Sequence, residues 1–126
     1  MKKFVAGEYL RISCLIAEFM GGRLERYDIS LREVYRFKSG GFKTRILPEK
    51  LQYLYSWDAL MPVVQKINTI VPLQFTIYPH TAHIHANGVI NNWQDITVLD
   101  IDPRTAVFKA VGEFLKWNRD NGNKIK

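Results

Sequence analysis

The segment DPRTAVFKAVGEFLKWNRDNG, residues 102–122, predicts the best-defined helix of the chain. Asp102 is a good N-cap residue, and Pro103 follows it at a position where a missing N–H is tolerated. Asn121 and Gly122 come after the last apolar residue, which is typical of a helix end. The predicted inner stripe, spaced as one helix face, consists of Val107, Ala110, Val111 and Phe114.

The same periodicity predicts two further helices. The first runs from about Gly7 to Met20 and is followed by two glycines, which commonly close a helix in the left-handed conformation. The second begins at a cap supplied by Ser56 or Asp58. Its predicted buried face consists of Leu60, Val63, Val64, Ile67 and Ile70.

Strand-like stretches lie between the helices. Val34–Phe37 and Phe42–Ile46 flank residues 38–41, whose Ser-Gly-Gly ending is typical of a hairpin turn. The other predicted strands are Leu73–Tyr78, Thr81–Ala86 and Asp95–Leu99. We therefore expect an α+β fold, with three helices packed on a small, mainly antiparallel sheet in an α-β-α sandwich-like arrangement.

Composition limits the class of protein. The 126 residues are 47% hydrophobic and 24% charged, which favours one globular domain spanning residues 1–126 and argues against a disordered chain. No run approaches the roughly 20 apolar residues of a membrane span, and the start of the chain lacks a long apolar signal segment. A single cysteine cannot form an intrachain disulfide. We expect a cytoplasmic protein without a membrane partner.

Three segments carry a resemblance to a known family. They are Leu15–Gly21 in the first helix, Ser56–Ile67 in the second and Ala110–Asn118 in the third, and the run Trp-Asp-Ala-Leu-Met-Pro-Val-Val within the second is the most specific. In sequence and order they resemble the phage ABA sandwich domain family, small proteins of phages and bacterial genomes. The resemblance implies helices packed on a central β layer and an origin in a phage or mobile element. It supplies no catalytic residue.

The middle of the chain is basic. Between Arg23 and Lys50 there are eight Lys or Arg against four Asp or Glu, which accounts for four of the six net positive charges. The candidate binding residues in this segment are Arg32, Tyr35, Arg36, Lys38, Phe42, Lys43 and Arg45. Cations that neutralise phosphates, combined with rings that stack on bases, would suit a nucleic acid or a nucleotide. The alternative is a solvated strand face with its aromatic residues on the inner side.

The three histidines, His80, His83 and His85, are candidate metal ligands. On a strand, His83 and His85 lie on the same face, and paired imidazoles can bind zinc or iron. The nearest acids in sequence, Asp95 and Asp100, show no diagnostic spacing to the pair. The alternative is that Phe75, Ile77 and Ile84 face the core, with the histidines on the solvent side or at a subunit contact.

Trp57 and Asp58 are a third candidate site, since an aromatic ring and a carboxylate at a helix start can line a pocket or simply cap the helix. The sequence contains no phosphate loop, dinucleotide fingerprint, zinc quartet or nucleophile elbow, so a catalytic role is disfavoured and no cofactor is predicted. We expect a non-enzymatic accessory module that binds a polyanion, a nucleotide or a protein partner through its basic middle segment. The alternatives are a metal-dependent enzyme that uses the histidines and a homo-oligomeric interaction module.

Overall fold

The computed structural model describes residues 6–27, 32–39, 42–46, 51, 53–70, 72–88, 90 and 92–121. The chain divides into two compact units, Met1–Gln52 and Tyr53–Lys126. Each unit contains helix and antiparallel sheet, so the predicted α+β class with three helices is confirmed. The assignment of all 126 residues to one domain stays a prediction. None of the helices in the described ranges is both long and apolar enough to span a bilayer.

The first unit begins with helix α1, Ala6–Phe19, close to the predicted bounds. Ile12 and Ile16 are buried on its inner face. The helix ends in a Schellman motif: the N–H of Gly22 donates to the carbonyl of Ala17 at 2.8 Å, and that of Gly21 donates to Glu18 at 3.1 Å. Gly21 has a φ of +93°, which explains why glycine stands there.

A three-stranded antiparallel sheet completes the first unit, with the order β1-β2-β3. Its strands are β1, Arg23–Tyr27, β2, Arg32–Ser39, and β3, Phe42–Ile46. Strands β2 and β3 confirm the predicted hairpin, and β2 continues to Ser39, so Lys38 and Ser39 of the predicted turn belong to the strand. Gly40 and Gly41 of the predicted turn lie outside the described residues. Strand β1 was not predicted.

Two helices lie in the second unit. Helix α2, Trp57–Asn68, is capped by Ser56, whose hydroxyl accepts the N–H of Ala59 at 3.3 Å. Helix α3, Pro103–Asp120, is capped by Asp102 as predicted. The Asp102 carboxylate accepts the backbone N–H of Thr105 at 3.1 Å and its hydroxyl at 2.6 Å. Both helices therefore begin where short-range capping interactions dictate.

The second unit contains its own antiparallel sheet, in the order β4-β5-β6. Its strands are β4, Leu73–Ile77, β5, Thr81–Ala86, and β6, Ile96–Leu99. The register pairs Phe75 with Ile84 and Ile84 with Ile96, so apolar residues from all three strands share one face. Helix α2 packs against β4, and α3 packs against β5 and β6. The core of this unit lies between the helices and that apolar face.

The fully buried side chains of the second unit come mostly from its helices. Leu60, Val63 and Ile67 of α2 are fully buried, which confirms most of the predicted inner face. In α3 the fully buried stripe is wider than predicted. Its large members are Val107, Phe108, Val111 and Phe114. Phe108 is thus a core residue that the predicted stripe missed.

Candidate functional site

The cationic residues of the first sheet share one face. Residues directly opposite each other in an antiparallel pair lie on the same side of a sheet. The register pairs Arg36 with Arg23 on one side and with Arg45 on the other, and it pairs Lys38 with Lys43. The Lys and Arg residues on this face, called the cationic face below, are Arg23, Arg32, Arg36, Lys38, Lys43 and Arg45. The acid among the paired residues of this face is Glu25.

The aromatic candidates of the same strands lie on the opposite face. Tyr35 is opposite Leu24 and Ile46, Phe37 is opposite Thr44, and Phe42 is opposite Ser39. Because successive residues alternate between faces, Tyr35, Phe37 and Phe42 lie on the face opposite the cationic face, whereas Tyr27, opposite Arg32, lies on the cationic face. Of the two interpretations of the basic segment, this register favours a cationic face with Tyr35, Phe37 and Phe42 on the other side.

On the second sheet, His83 and His85 lie on the face opposite the core, as the alternation of β5 predicted. Their rings are stacked, with centroids 5.9 Å apart and planes 14° from parallel. The register places His83 between Thr76 and Thr97. Both rings are half-buried. Ile84, between them in sequence, is fully buried in the core.

Asp95 holds His85 in place. Its Oδ2 atom lies 2.6 Å from Nδ1 of His85, while its Oδ1 atom accepts the indole N–H of Trp93 at 2.8 Å and the backbone N–H of Ala86 at 3.2 Å. The hydrogen bond from His85, followed by that from Trp93, lowers the pKa of Asp95 from 3.8 to about 2. An ionised carboxylate only accepts hydrogen bonds, so Nδ1 of His85 carries the proton.

His83 is held in a similar way by the hydroxyl of Thr97, whose Oγ1 atom lies 2.8 Å from Nδ1 of the ring. One ring nitrogen from each of His83 and His85 and one oxygen of Asp95 all lie within 4.8 Å of one another. Imidazole and carboxylate groups at such distances can bind a metal ion. These three residues form what we call the histidine cluster.

His80 stands apart from the histidine cluster. It lies in the turn between β4 and β5, where its Nδ1 atom is 3.1 Å from the carbonyl oxygen of Ile101. Of the three histidines singled out in the sequence, two are thus brought together. The third polar member of the group is Asp95, which sequence spacing did not identify.

Trp57 and Asp58 occupy the first two positions of α2. Asp58 is exposed, and a carboxylate in the first turn of a helix is stabilised by the partial positive charge of the helix N-terminus. Trp57 is 37% exposed. Their positions suit a helix start, which the alternative interpretation predicted, and no described contact joins them to the histidine cluster.

The comparisons with known proteins gave no match: no family model, no curated protein and no solved structure was found to be similar to this chain.

Proposed function

We propose that the protein is a non-enzymatic module that binds nucleic acid phosphates through the cationic face of its first sheet. The observation that carries the proposal is the strand register, which gathers Lys and Arg residues from all three strands on one side. Lys and Arg that neutralise phosphates supply most of the free energy of sequence-independent nucleic acid binding. The formal charge of the chain, +6, has the sign that this role requires.

The register of the cationic face, which places like charges opposite each other, supports a polyanionic partner. Arg23, Arg36 and Arg45 occupy one row across the sheet, and Lys38 lies opposite Lys43 in the next. Like charges directly opposite each other destabilise a sheet by a few tenths of a kcal/mol to about 1 kcal/mol per pair. A chain of phosphates on this face would offset that repulsion by supplying counter-charges. A neutral or basic protein partner would not.

The placement of Tyr35 and Phe42 narrows the way in which nucleic acid could bind. Tyr35 and Phe42 lie on the other face, so base stacking by these rings is not part of the proposal. Contacts to phosphates alone carry no sequence information. We therefore expect weak dependence on base sequence and strong dependence on salt. Because three helical segments resemble the phage ABA sandwich domain family, we further propose that the protein is an accessory protein of a phage or mobile element and acts in the cytoplasm.

A charge-reversal experiment tests the proposal. The variant Arg36→Glu/Arg45→Glu alters two opposite positions of the cationic face, and Arg11→Glu/Arg119→Glu makes the same change in net charge at exposed helical positions. Binding of fluorescein-labelled single-stranded DNA, RNA and duplex DNA is followed by anisotropy in 0.1 M salt. We expect the first variant to lose affinity by about tenfold or more and the second to stay within about threefold of the wild type.

Two results would contradict the proposal. One is no measurable binding of any of the three nucleic acids by the wild type, even in 0.05 M salt. The other is equal loss of affinity in the two variants, which would assign the binding to net charge and not to the cationic face. Far-ultraviolet circular dichroism of both variants separates loss of binding from loss of the fold.

Self-association is a second candidate function, and it is favoured by exposed apolar residues near one edge of the second sheet. Strand β6 lies at that edge, where Leu99 is 75% exposed and Ile101, two residues further on, is 73% exposed. Sheet edges with exposed apolar residues are prone to pair with another chain. If such a dimer forms, Leu99→Asp should convert it to a monomer in sedimentation measurements. A wild-type monomer at high concentration would exclude this candidate.

A further inference from the structure

We propose that the histidine cluster binds one divalent transition-metal ion, with His83 and His85 as ligands through their Nε2 atoms and with Asp95 and Thr97 orienting the two rings. This site lies on the second sheet and goes beyond the proposed binding of nucleic acid. Imidazole nitrogen is a preferred ligand of zinc, copper and nickel, so these are the ions that the cluster would take.

The first argument is the tautomer of His85. The carboxylate of Asp95 accepts a hydrogen bond from Nδ1 at 2.6 Å, which leaves the proton on Nδ1 and the lone pair of the neutral ring on Nε2. A metal-ligating histidine commonly donates its other ring N–H to a carboxylate, which fixes the ring and raises its basicity. His85 already has this arrangement in the protein alone.

The second argument is that Asp95 is itself fixed. Trp93 and the backbone N–H of Ala86 both donate to Oδ1, and His85 donates to Oδ2. Each carboxylate oxygen therefore has at least one donor, and the group cannot turn toward an ion without losing one of these bonds. We assign Asp95 the role of a positioning residue for this reason, although one of its oxygens lies within 4.8 Å of a ring nitrogen of each histidine.

The third argument is the match between the two rings. The hydroxyl of Thr97, 2.8 Å from Nδ1 of His83, can accept a hydrogen bond from that nitrogen. In that tautomer the lone pair of the ring is on Nε2, which is then free to act as the second ligand. The rings are stacked on the same side of β5, and one ring nitrogen of each lies within 4.8 Å of the other. The two rings must therefore tilt toward each other, because two nitrogens that bind one tetrahedral zinc ion lie about 3.3 Å apart. With Zn–N bonds of about 2.0–2.1 Å, tetrahedral geometry leaves two positions for water. Such open positions suit a metal that also takes a ligand from solution.

The test is calorimetric titration of Zn²⁺, and separately of Ni²⁺, into untagged protein that has been treated with a chelator. His83→Asn and His85→Asn should each weaken binding by about tenfold or more, and Asp95→Ala should weaken it by about 10–100-fold. The matched control is His80→Asn, because His80 is the histidine that lies outside the cluster. This variant should bind one ion as the wild type does.

The roles of the individual atoms have a separate readout. Long-range ¹H–¹⁵N spectra of the imidazoles should show Zn²⁺ perturbing Nε2 of His83 and His85, while Nδ1 of His85 keeps its proton. Three outcomes would overturn the proposal: wild-type binding no tighter than about 1 mM, or about −4 kcal/mol; equal loss of affinity in His80→Asn; and ligation through Nδ1 of His85. Urea unfolding of each variant shows whether it keeps the fold, and the spectra of the wild type test the site even where a variant does not fold.

Discussion

The salt dependence of the Kd for nucleic acid should reveal how many cations of the cationic face contact phosphates. We assume that all six Lys and Arg of this face contact phosphates of a single strand and that each contact releases about 0.7 counterions. A plot of log Kd against log salt concentration then has a slope of about +4. Neutralising the opposite pair in Lys38→Gln/Lys43→Gln removes two contacts and should lower that slope to about 3. Between 50 and 200 mM salt, affinity should then fall by about 300-fold in the wild type and by about 50-fold in the variant.

Anisotropy titrations of a labelled oligonucleotide at five or more salt concentrations measure both slopes. The control is Lys66→Gln/Lys116→Gln, which removes the same charge from helices α2 and α3. We expect the control to keep the wild-type slope. An unchanged slope in Lys38→Gln/Lys43→Gln, or the same decrease in the control, would refute the assignment of phosphate contacts to the cationic face.

Further substitutions test packing and electrostatics, each followed by urea unfolding. Ser13→Ala should raise the free energy of unfolding by about 1 kcal/mol, because the fully buried hydroxyl has no hydrogen-bond partner in the described part of the chain; a decrease would contradict this reasoning. Phe114→Ala should lower the free energy of unfolding by about 3–5 kcal/mol because its ring is fully buried. Its control, Tyr78→Ala at a residue 53% exposed, should change that free energy by less than about 0.5 kcal/mol. Equal effects of the two substitutions would refute the burial argument. The pKa of Asp100 lies below its usual 3.8, chiefly because Lys109 donates a hydrogen bond to it, so its contribution to stability is present above 3.8 and is lost as the pH falls through the lowered pKa. Acid should therefore destabilise the wild type more than Asp100→Asn, and parallel acid curves would show that this carboxylate does not contribute.

Helix ends could be predicted from the sequence because the interactions that fix them span only three to five residues. Asp102 caps α3 through Thr105, and the glycines after α1 accept the geometry that closes it. The same holds for Ser56, although the sequence alone left Asp58 as an alternative. Strand β1, Arg23–Tyr27, shows the opposite case. Its charged, non-alternating residues carry no strand signal, and its pairing with β2 supplies the structure.

The sites depend on pairing between strands, and sequence leaves that pairing open. The alternation of β5 and β6 allows Ile84 to face either Ile96 or Val98, since both choices keep the apolar residues on one side. In the observed register Ile84 faces Ile96, and the next pair outward brings His85 beside Asp95. A shift of two residues would have put Thr97 there instead. The sequence therefore showed that Asp95 lies near the histidines along the chain, but it did not predict that Asp95 pairs with His85.

The indole of Trp93 provides an intrinsic spectroscopic probe of the second unit. This ring donates to the same carboxylate that holds His85, and it packs edge-on against Trp117, with centroids 4.9 Å apart and planes at 86°. Two closely spaced indoles couple their electronic transitions, so the pair should give a distinct near-ultraviolet dichroism signal. A paramagnetic ion such as Cu²⁺ beside His85 would quench the emission of Trp93. Intrinsic fluorescence can therefore follow metal binding at the histidine cluster in real time without any label.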